Sequence, residues 1–301
     1  MDTTAAPWSF AVLGPGGVGG LLGGLLARAG HTVTYLAGEA TAAALNRDGL
    51  HVRSAALGDF SVPARATTRL AEPVDACLVA VKATQLDEAL RRVPADALGD
   101  ALLVPFLNGV EHVDHLRRRY PAARVLAAAI RVESTRVAPG RVEHTSPFAA
   151  VELAASPATE TLAAHLSGAG LEVTVRDDER ALLWGKLTFL APFALVTAEA
   201  GEPLGVVRGE RRADLLGVLA EAVAAARVEG VTVDERAVAT QLDAAPGAMR
   251  SSLQRDAQAG RPMELDAIGG AILRAAARAG VPTPITGRLV NALRAHGPLD
   301  P

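Results

Sequence analysis

Two lysines stand out in a chain that carries almost all of its positive charge as arginine. Of the 30 Lys and Arg residues, only Lys82 and Lys186 are lysines. An arginine keeps its proton near neutral pH, whereas a lysine can release one when burial lowers its pKa. The two lysines are therefore candidates for proton transfer or ligand contact, although lysines left on the surface by chance would look the same.

Lys186 falls on an apolar stripe of a predicted long helix. The other members of this stripe are Leu182, Phe189, Leu190 and Phe193. A charge on such a stripe is unfavourable unless it is paired or faces a cavity. A partly desolvated lysine can act as a proton donor. The alternative is an ordinary solvated lysine on a helix surface.

Glu264 is the carboxylate that we associate with Lys186. It lies at the head of an apolar helix face, two residues after Pro262, which suits a helix start. One interpretation is a first-turn carboxylate that stabilises the helix dipole. The other is the partner that keeps Lys186 charged and oriented. Upstream candidates for hydrogen bonds to a substrate carboxylate are Ser251, Ser252 and Arg255.

A glycine-rich turn near the N-terminus predicts a dinucleotide site. The turn reads Gly14, Pro15, Gly16, Gly17, Val18, Gly19, and it lies between an apolar strand and an Ala/Leu/Gly-rich helix that ends at Arg28. The spacing is GxGxxG in its required strand–turn–helix context. The first glycine permits the turn, the second lets a pyrophosphate approach, and the third lets helix and strand pack closely. The alternative is a tight turn without a ligand.

Two later apolar strands end in polar residues. Lys82 directly follows the strand 75–81, with Gln85 opening the next helix, and Asn108 follows the strand 102–107. In parallel sheets, ligands bind outside the carboxyl ends of the strands, so these residues and the glycine turn are expected at one edge. The alternatives are a solvated strand end for Lys82 and an ordinary turn for the Asn108-Gly109 pair.

The order of elements predicts two domains. Strands and helices alternate up to residue 176, which indicates an α/β fold with a Rossmann-type, doubly wound parallel sheet. We expect Arg141 to His144 and Ala149 to Leu153 to form a pair of edge strands. From residue 177 only helical patterns follow. We therefore predict a dinucleotide-binding domain over residues 1–176 and an all-helical substrate and catalytic domain over 177–301.

Composition narrows the class of protein. The net charge is −3 and the pI about 6.2, with no basic tract, so we expect no nucleic-acid partner. The single Cys77 fits a reducing compartment. Residues 10–29 are apolar, but their seven glycines and the lack of a basic flank argue against a signal peptide or membrane span. We expect a cytoplasmic enzyme of small molecules, with no membrane partner and no metal site.

The chain resembles the ketopantoate reductase (2-dehydropantoate 2-reductase) family over nearly its whole length. The matching stretches are VLGPGGVGG, LVAVKATQ, the Asn-Gly pair after FL, LLWGKL, and SSLQRD with MELD. The resemblance implies a Rossmann domain followed by a helical domain, and NADPH-dependent reduction of a 2-oxo acid. It also makes a homodimer a candidate assembly.

The resemblance implies roles for particular residues. Lys186 is similar to the family's proton donor and Glu264 to its orienting carboxylate. On the cofactor side are the six turn residues Gly14 to Gly19 with Lys82, Gln85 and Asn108. On the substrate side are Asn108, Ser252 and the helix positions Leu190 and Ala194.

The last two positions depart from the family. Relatives carry two asparagines one helical turn apart after the lysine, where this chain has Leu190 and Ala194. The pocket is expected to be more apolar, which puts ketopantoate itself in doubt. We therefore expect the natural substrate to be a bulkier, less hydroxylated 2-oxo acid or ketone.

The cofactor side departs as well. The family's arginine for the NADP 2′-phosphate is replaced by Gly38, which Glu39 follows, and Arg47 is a candidate substitute. The sequence therefore leaves the choice between NADP and NAD open, and the resemblance favours NADP. Other open readings are a dehydrogenase of an amine or opine-like substrate and a non-catalytic dinucleotide sensor.

Overall fold

The computed structural model describes residues 6–296 of the chain and divides it into two compact units. The first unit comprises Met1–Leu107 and His112–Glu179, and the second comprises Asn108–Glu111 and Arg180–Pro301. The short segment Asn108–Glu111 thus belongs to the second unit, although it follows a strand of the first.

The first unit contains every strand that the structure describes between residues 6 and 296. The strands are β1 (Ser9–Leu13), β2 (Thr32–Leu36), β3 (Leu50–Ser54), β4 (Phe60–Val62), β5 (Arg65–Thr67), β6 (Ala76–Val79), β7 (Leu102–Pro105), β8 (Ala128–Arg131), β9 (Ser134–Ala138), β10 (Arg141–His144), β11 (Ala150–Ala154) and β12 (Glu172–Arg176). The helices are α1 (Gly17–Arg28), α2 (Glu39–Asp48), α3 (Leu86–Leu90), α4 (Ala95–Leu98), α5 (His112–Arg117) and α6 (Thr159–Gly168).

The principal sheet has five parallel strands in the order β5-β2-β1-β6-β7. Strands β6 and β7 are buried along their whole length, and β1 is buried from Phe10 onward, as expected when both faces of a parallel sheet are covered. Leu13 is paired with both Leu36 and Val79, so the carboxyl ends of β1, β2 and β6 are level. The predicted Rossmann-type sheet is confirmed.

The remaining strands form two further sheets, of order β4-β3-β10-β9 and β12-β11-β8. Our expectation that Arg141–His144 and 149–153 pair as edge strands is wrong. Strand β10 lies between β3 and β9, and β11 lies between β12 and β8. Strand β9 was not predicted, because its five residues are exposed or half-buried and lack an apolar run.

Helix α1 is packed closely from two sides, which explains its glycines. A Cβ at Gly23 would lie 2.5 Å from Cε1 of Tyr35 on β2, and one at Gly24 would lie 2.7 Å from Cδ2 of Leu50 on β3. Any larger residue at these positions would push the helix away from a strand. The apolar, glycine-rich stretch is therefore a close-packed core helix of the first unit.

The second unit consists of helices and the loops between them, with no strand among its described residues. Its helices are α7 (Glu179–Ala200, whose first residue belongs to the first unit), α8 (Leu204–Glu210), α9 (Arg212–Val228), α10 (Glu235–Ala244), α11 (Ser252–Gln258), α12 (Ala271–Ala277) and α13 (Pro284–His296). A π-helical turn over Asp266–Gly270 leads into α12. The core includes Leu195, Leu219 and Ile272, each 0% exposed.

By length and composition, α7 alone among the described helices could cross a membrane, and 72% of its apolar window is buried inside the fold. A core helix passes the same test, and α7 lies in the core of its unit, where Leu187 and Ala191 are buried.

Candidate active site

The glycine turn lies at the carboxyl end of β1, and its three motif glycines have different surroundings. Gly14 has a φ of +87°, and a Cβ there would lie 2.5 Å from Cγ1 of Val81. A Cβ at Gly19 would lie 2.3 Å from the carbonyl oxygen of Gly14. At Gly16 the nearest atom to such a Cβ is that same oxygen, at 4.0 Å. Gly14 and Gly19 are thus required by the turn, whereas the space beside Gly16 is open to a ligand.

The turn leads directly into α1, whose N-terminus can receive an anion. Gly16 is the N-cap residue, no side chain caps the helix, and the first turn contains no acidic residue. The first N–H groups of this twelve-residue helix are therefore suited to a phosphate. These features fit the pyrophosphate of a dinucleotide.

Gly17 has an additional structural reason to be glycine. A Cβ there would lie 2.0 Å from the carbonyl oxygen of Ser134 on β9, and the Ser134 hydroxyl donates to the Gly17 carbonyl at 2.9 Å. Pro15 is buried and Val18 half-buried. Contact of these three residues with the cofactor stays a prediction.

Lys82 directly follows a residue that packs against the glycine turn, and Gln85 lies three residues further along the chain. Val81, which contacts the Cβ position of Gly14, immediately precedes Lys82. Lys82 is half-buried and begins a 3₁₀ turn over Ala83–Gln85, in which Gln85 is exposed. The structure therefore brings Lys82 to the edge predicted for it.

At the end of β2, Gly38 is exposed and forms the N-cap of α2. Arg47 lies in the last turn of that helix, where it binds Asp48 through two hydrogen bonds of 2.9 and 2.7 Å. The side-chain atom found near the Cβ position of Gly38 is Nη2 of Arg92, at 3.9 Å. The sequence did not single out Arg92, because 54 positions separate it from Gly38.

In the helical unit, Asn108 and Glu264 meet. The side-chain amide of Asn108 donates from Nδ2 to Oε2 of Glu264 at 3.0 Å. Glu264 is 6% exposed, and its carbonyl oxygen accepts the N–H of Ile268 at the start of the helical stretch. The helical stretch begins at Leu265, so Pro262, Met263 and Glu264 directly precede its first helical residue.

The segment after Asn108 is fixed to the same helical stretch. Gly109 has a φ of +87°, and a Cβ there would lie 2.4 Å from the carbonyl oxygen of Ala267. Arg274 binds both Glu111 oxygens, at 2.9 and 2.6 Å, and also both oxygens of Asp266. These carboxylates raise the pKa of Arg274. Two ion pairs and a close backbone contact thus support the Asn108–Glu264 hydrogen bond.

Lys186, Leu190 and Ala194 follow one another at four-residue spacing on α7, so they lie on one side of the helix. Lys186 and Leu190 are half-buried, and Ala194 is 1% exposed. This face offers one ammonium group followed by apolar contact area. It contains no amide at the two positions where the family has asparagine.

Ser251 and Ser252 have different environments. Ser251 is buried as the N-cap of α11, where its Oγ accepts from Gln254 N and lies 3.0 Å from Oγ1 of Thr197. Ser252 is exposed at the first position of the helix. Ser251 therefore has a capping role, and Ser252 is the serine accessible to a ligand.

Known proteins share both halves of this arrangement. A family model described as ketopantoate reductase PanE/ApbA matches residues 10–157, and the model of its C-terminal domain matches residues 178–297. The chain belongs to the ketopantoate reductase family. It is an oxidoreductase of carbonyl and hydroxyl groups, and its cofactor is a nicotinamide dinucleotide, as in ketopantoate reductases, which use NADPH.

Individual relatives align with this chain along nearly its full length. The chain is 32% identical to the 2-dehydropantoate 2-reductase of Mycobacterium tuberculosis (strain CDC 1551 / Oshkosh), with 95% of this chain and 97% of the relative covered. The structure of a PanE/ApbA family ketopantoate reductase from Ralstonia eutropha JMP134 has a TM-score of 0.86 and 31% identity, covering 95% of this chain and 97% of that one. A ternary D-mandelate dehydrogenase structure shares the fold, with a TM-score of 0.89, 21% identity, and coverage of 96% and 98%.

Proposed function

We propose that this ketopantoate reductase family member reduces a 2-oxo acid or a related ketone with NADPH, and that Lys186 is its general acid. The observation that carries the proposal is the α7 face, where the half-buried Lys186 is followed by Leu190 and Ala194. Glu264 is buried in the same unit, and it is the carboxylate that we propose as the partner of Lys186.

When bound, the reduced nicotinamide supplies a hydride to the carbonyl carbon of the substrate. Lys186 donates a proton from Nζ to the carbonyl oxygen as negative charge develops there, and the product is the 2-hydroxy acid. A positioned general acid contributes about 10²–10⁴ in rate. The neutral lysine then regains a proton from solvent.

We further propose that Glu264 and Asn108 assist this step. In this proposal, the carboxylate of Glu264 is the partner that orients the ammonium group of Lys186. Asn108 donates to Oε2 of Glu264 and thereby fixes the plane of the carboxylate. Ser252, exposed at the start of α11, is proposed to contact the polar end of the substrate.

The proposed substrate is bulkier and less hydroxylated than ketopantoate. Asparagines at positions 190 and 194 could bind a hydroxyl and a carboxylate, whereas Leu190 and Ala194 offer only contact area. A site built to bind a hydroxyl rejects analogues that lack it, whereas an apolar site discriminates by only about 1–3 kcal/mol per methylene. The assembly is proposed to be a cytoplasmic homodimer without nucleic-acid or membrane partners.

The test is a substrate panel followed at the nicotinamide absorbance band. Purified protein is assayed with NADPH and with NADH against ketopantoate, branched aliphatic 2-oxo acids and phenylglyoxylate. We expect a higher kcat/KM for the bulkier apolar acids than for ketopantoate. If ketopantoate is reduced with a kcat/KM of about 10⁴ M⁻¹s⁻¹ or more and exceeds the others, the redirected pocket is wrong. Amine oxidation without 2-oxo acid reduction would instead favour an amine or opine-like substrate.

A further inference from the structure

Arg92 is held at the carboxyl end of the principal sheet by contacts at both of its ends. Its carbonyl oxygen accepts the N–H of Leu70 at 2.8 Å, and its Nη1 donates to the carbonyl oxygen of Thr68 at 3.0 Å. Thr68 directly follows β5, the strand that pairs with β2. The guanidinium is therefore fixed against the loop next to the end of β2.

The end of β2 lies beside this guanidinium. Ala37 N donates to the carbonyl oxygen of Thr67 at 3.0 Å, and the next residue, Gly38, has Nη2 of Arg92 3.9 Å from its Cβ position. The bond to Thr68 uses one of the five N–H donors of the guanidinium. Because residue 38 has no side chain, the space beside it is left to Arg92.

In the Rossmann fold, the end of the second strand is where a protein distinguishes the two nicotinamide dinucleotides. An acid there binds the ribose 2′-hydroxyl of NAD, whereas a nearby arginine accommodates the 2′-phosphate of NADP. A planar guanidinium suits a phosphate because it donates two parallel, charge-assisted hydrogen bonds.

We propose that Arg92, reaching over from α3's C-terminal turn, binds the 2′-phosphate of NADP(H) in place of a side chain at residue 38. This inference rests on the proposed function, since it presumes that the glycine turn holds a dinucleotide. Arg92 thus takes the place of the family's arginine from a different element, and it makes the protein selective for NADPH.

Glu39 is the charge that opposes this assignment. It follows Gly38 as the first residue of α2 and is exposed, so solvent screens its repulsion of a phosphate. Arg92 is half-buried and held at two points, so its charge is less screened and better placed. The attraction by Arg92 therefore outweighs the repulsion by Glu39.

The test is calorimetric titration of NADPH and NADH, without substrate, into the wild-type protein and three variants. We expect tighter binding of NADPH in the wild type, and a Kd for NADPH about 10- to 100-fold higher in Arg92→Ala, with the Kd for NADH unchanged. Arg91→Ala is the matched control, because it removes the preceding, exposed arginine. It is expected to bind like the wild type. Unchanged NADH binding also shows that Arg92→Ala is folded.

Arg69→Ala distinguishes a second nearby cation, since Arg69 is exposed in the loop that holds Arg92. Loss of NADPH preference in Arg69→Ala but not in Arg92→Ala would overturn the assignment. Equal wild-type affinity for the two dinucleotides would overturn it as well, while leaving the proposed reductase intact. Absence of binding by either dinucleotide would overturn the proposed function itself and this inference with it.

A second probe removes the nicotinamide from the experiment. Adenosine 2′,5′-bisphosphate carries the 2′-phosphate, and adenosine 5′-monophosphate does not. We expect the bisphosphate to bind more tightly to the wild type, with a preference that Arg92→Ala abolishes and that salt weakens. A preference retained in Arg92→Ala would overturn the assignment.

Discussion

Asn108 Nδ2 donates a 3.0 Å hydrogen bond to Oε2 of Glu264, joining residues that lie 156 positions apart in the sequence. Glu264 is buried, and the segment that carries Asn108 is fixed by the contact of Gly109 with Ala267 and by the ion pair of Glu111 with Arg274. The amide of Asn108 supplies a hydrogen bond to one oxygen of this buried carboxylate. The hydrogen bond therefore orients the carboxylate of Glu264, which we propose as the partner of Lys186.

The substitution Asn108→Ala tests the role of this hydrogen bond. The substitution leaves Glu264 with one donor fewer, so we expect about 1–3 kcal/mol less stability in urea unfolding, together with a lower kcat. The Kd for NADH, measured by titration, should change less than kcat. Asn108→Ala with wild-type stability and kcat would contradict a role for the hydrogen bond.

Lys186→Ala tests the general acid. Removing the ammonium should lower kcat by about 10²–10⁴ with nearly unchanged cofactor binding, because Lys186 belongs to the helical unit rather than to the glycine turn. Lys186→Arg should also have a low kcat, since a guanidinium holds its proton too tightly to donate it. Stopped-flow measurement of nicotinamide oxidation separates the chemical step from product release. A variant that keeps more than about a tenth of the rate contradicts proton donation by Lys186.

The double variant Leu190→Asn, Ala194→Asn tests the substrate proposal. It restores the amides that the family carries on this face of α7, so kcat/KM for ketopantoate should rise relative to bulky apolar 2-oxo acids. Ala194 is 1% exposed, so the larger Asn needs local repacking, and the melting temperature is recorded alongside activity. Leu190→Asn alone serves as the milder control. An unchanged preference in both folded variants argues against these positions as specificity determinants.

A histidine pair in the first unit predicts a pH dependence of stability. The ring centroids of His31 and His165 lie 4.9 Å apart. Burial, followed by the charge of His165, lowers the pKa of His31, and burial lowers the pKa of His165. The unfolded chain thus binds protons at a higher pH than the folded one. The free energy of unfolding should therefore decrease as pH falls below about 6.5, until the folded-state pKa values are passed.

Urea unfolding of the wild type and of His31→Gln, between about pH 8 and pH 5, measures this effect. Because the variant lacks one of the two groups, its stability should fall less steeply over the acidic half of the range. The control is His51→Gln, which removes a histidine outside the pair. Its free energy of unfolding should change with pH as steeply as that of the wild type. Equal slopes for all three proteins would rule out the His31 contribution.

The sequence alone determined the local elements that hold the cofactor half of the site. Helix α1 was predicted with its observed C-terminal end, Arg28, and the predicted strands 75–81 and 102–107 contain the observed β6 and β7, because continuous apolar runs specify such elements within a short stretch of chain. Strands β5 and β9 were not predicted. A three-residue strand and an exposed strand have no continuous apolar run, and they form only by pairing with neighbouring strands. Motifs also located Lys82, Lys186 and Glu264.

Tertiary structure decided which of these residues meet. The sequence placed Asn108 with the glycine turn, whereas the fold groups Asn108–Glu111 with the helical unit and pairs Asn108 with Glu264. Likewise, Gly38 marks a missing arginine in the sequence, and only the fold places Arg92 beside it. Such contacts join segments that are distant in the sequence, and they depend on how whole helices and strands pack. Local periodicity extends over a few residues only, so it cannot predict them.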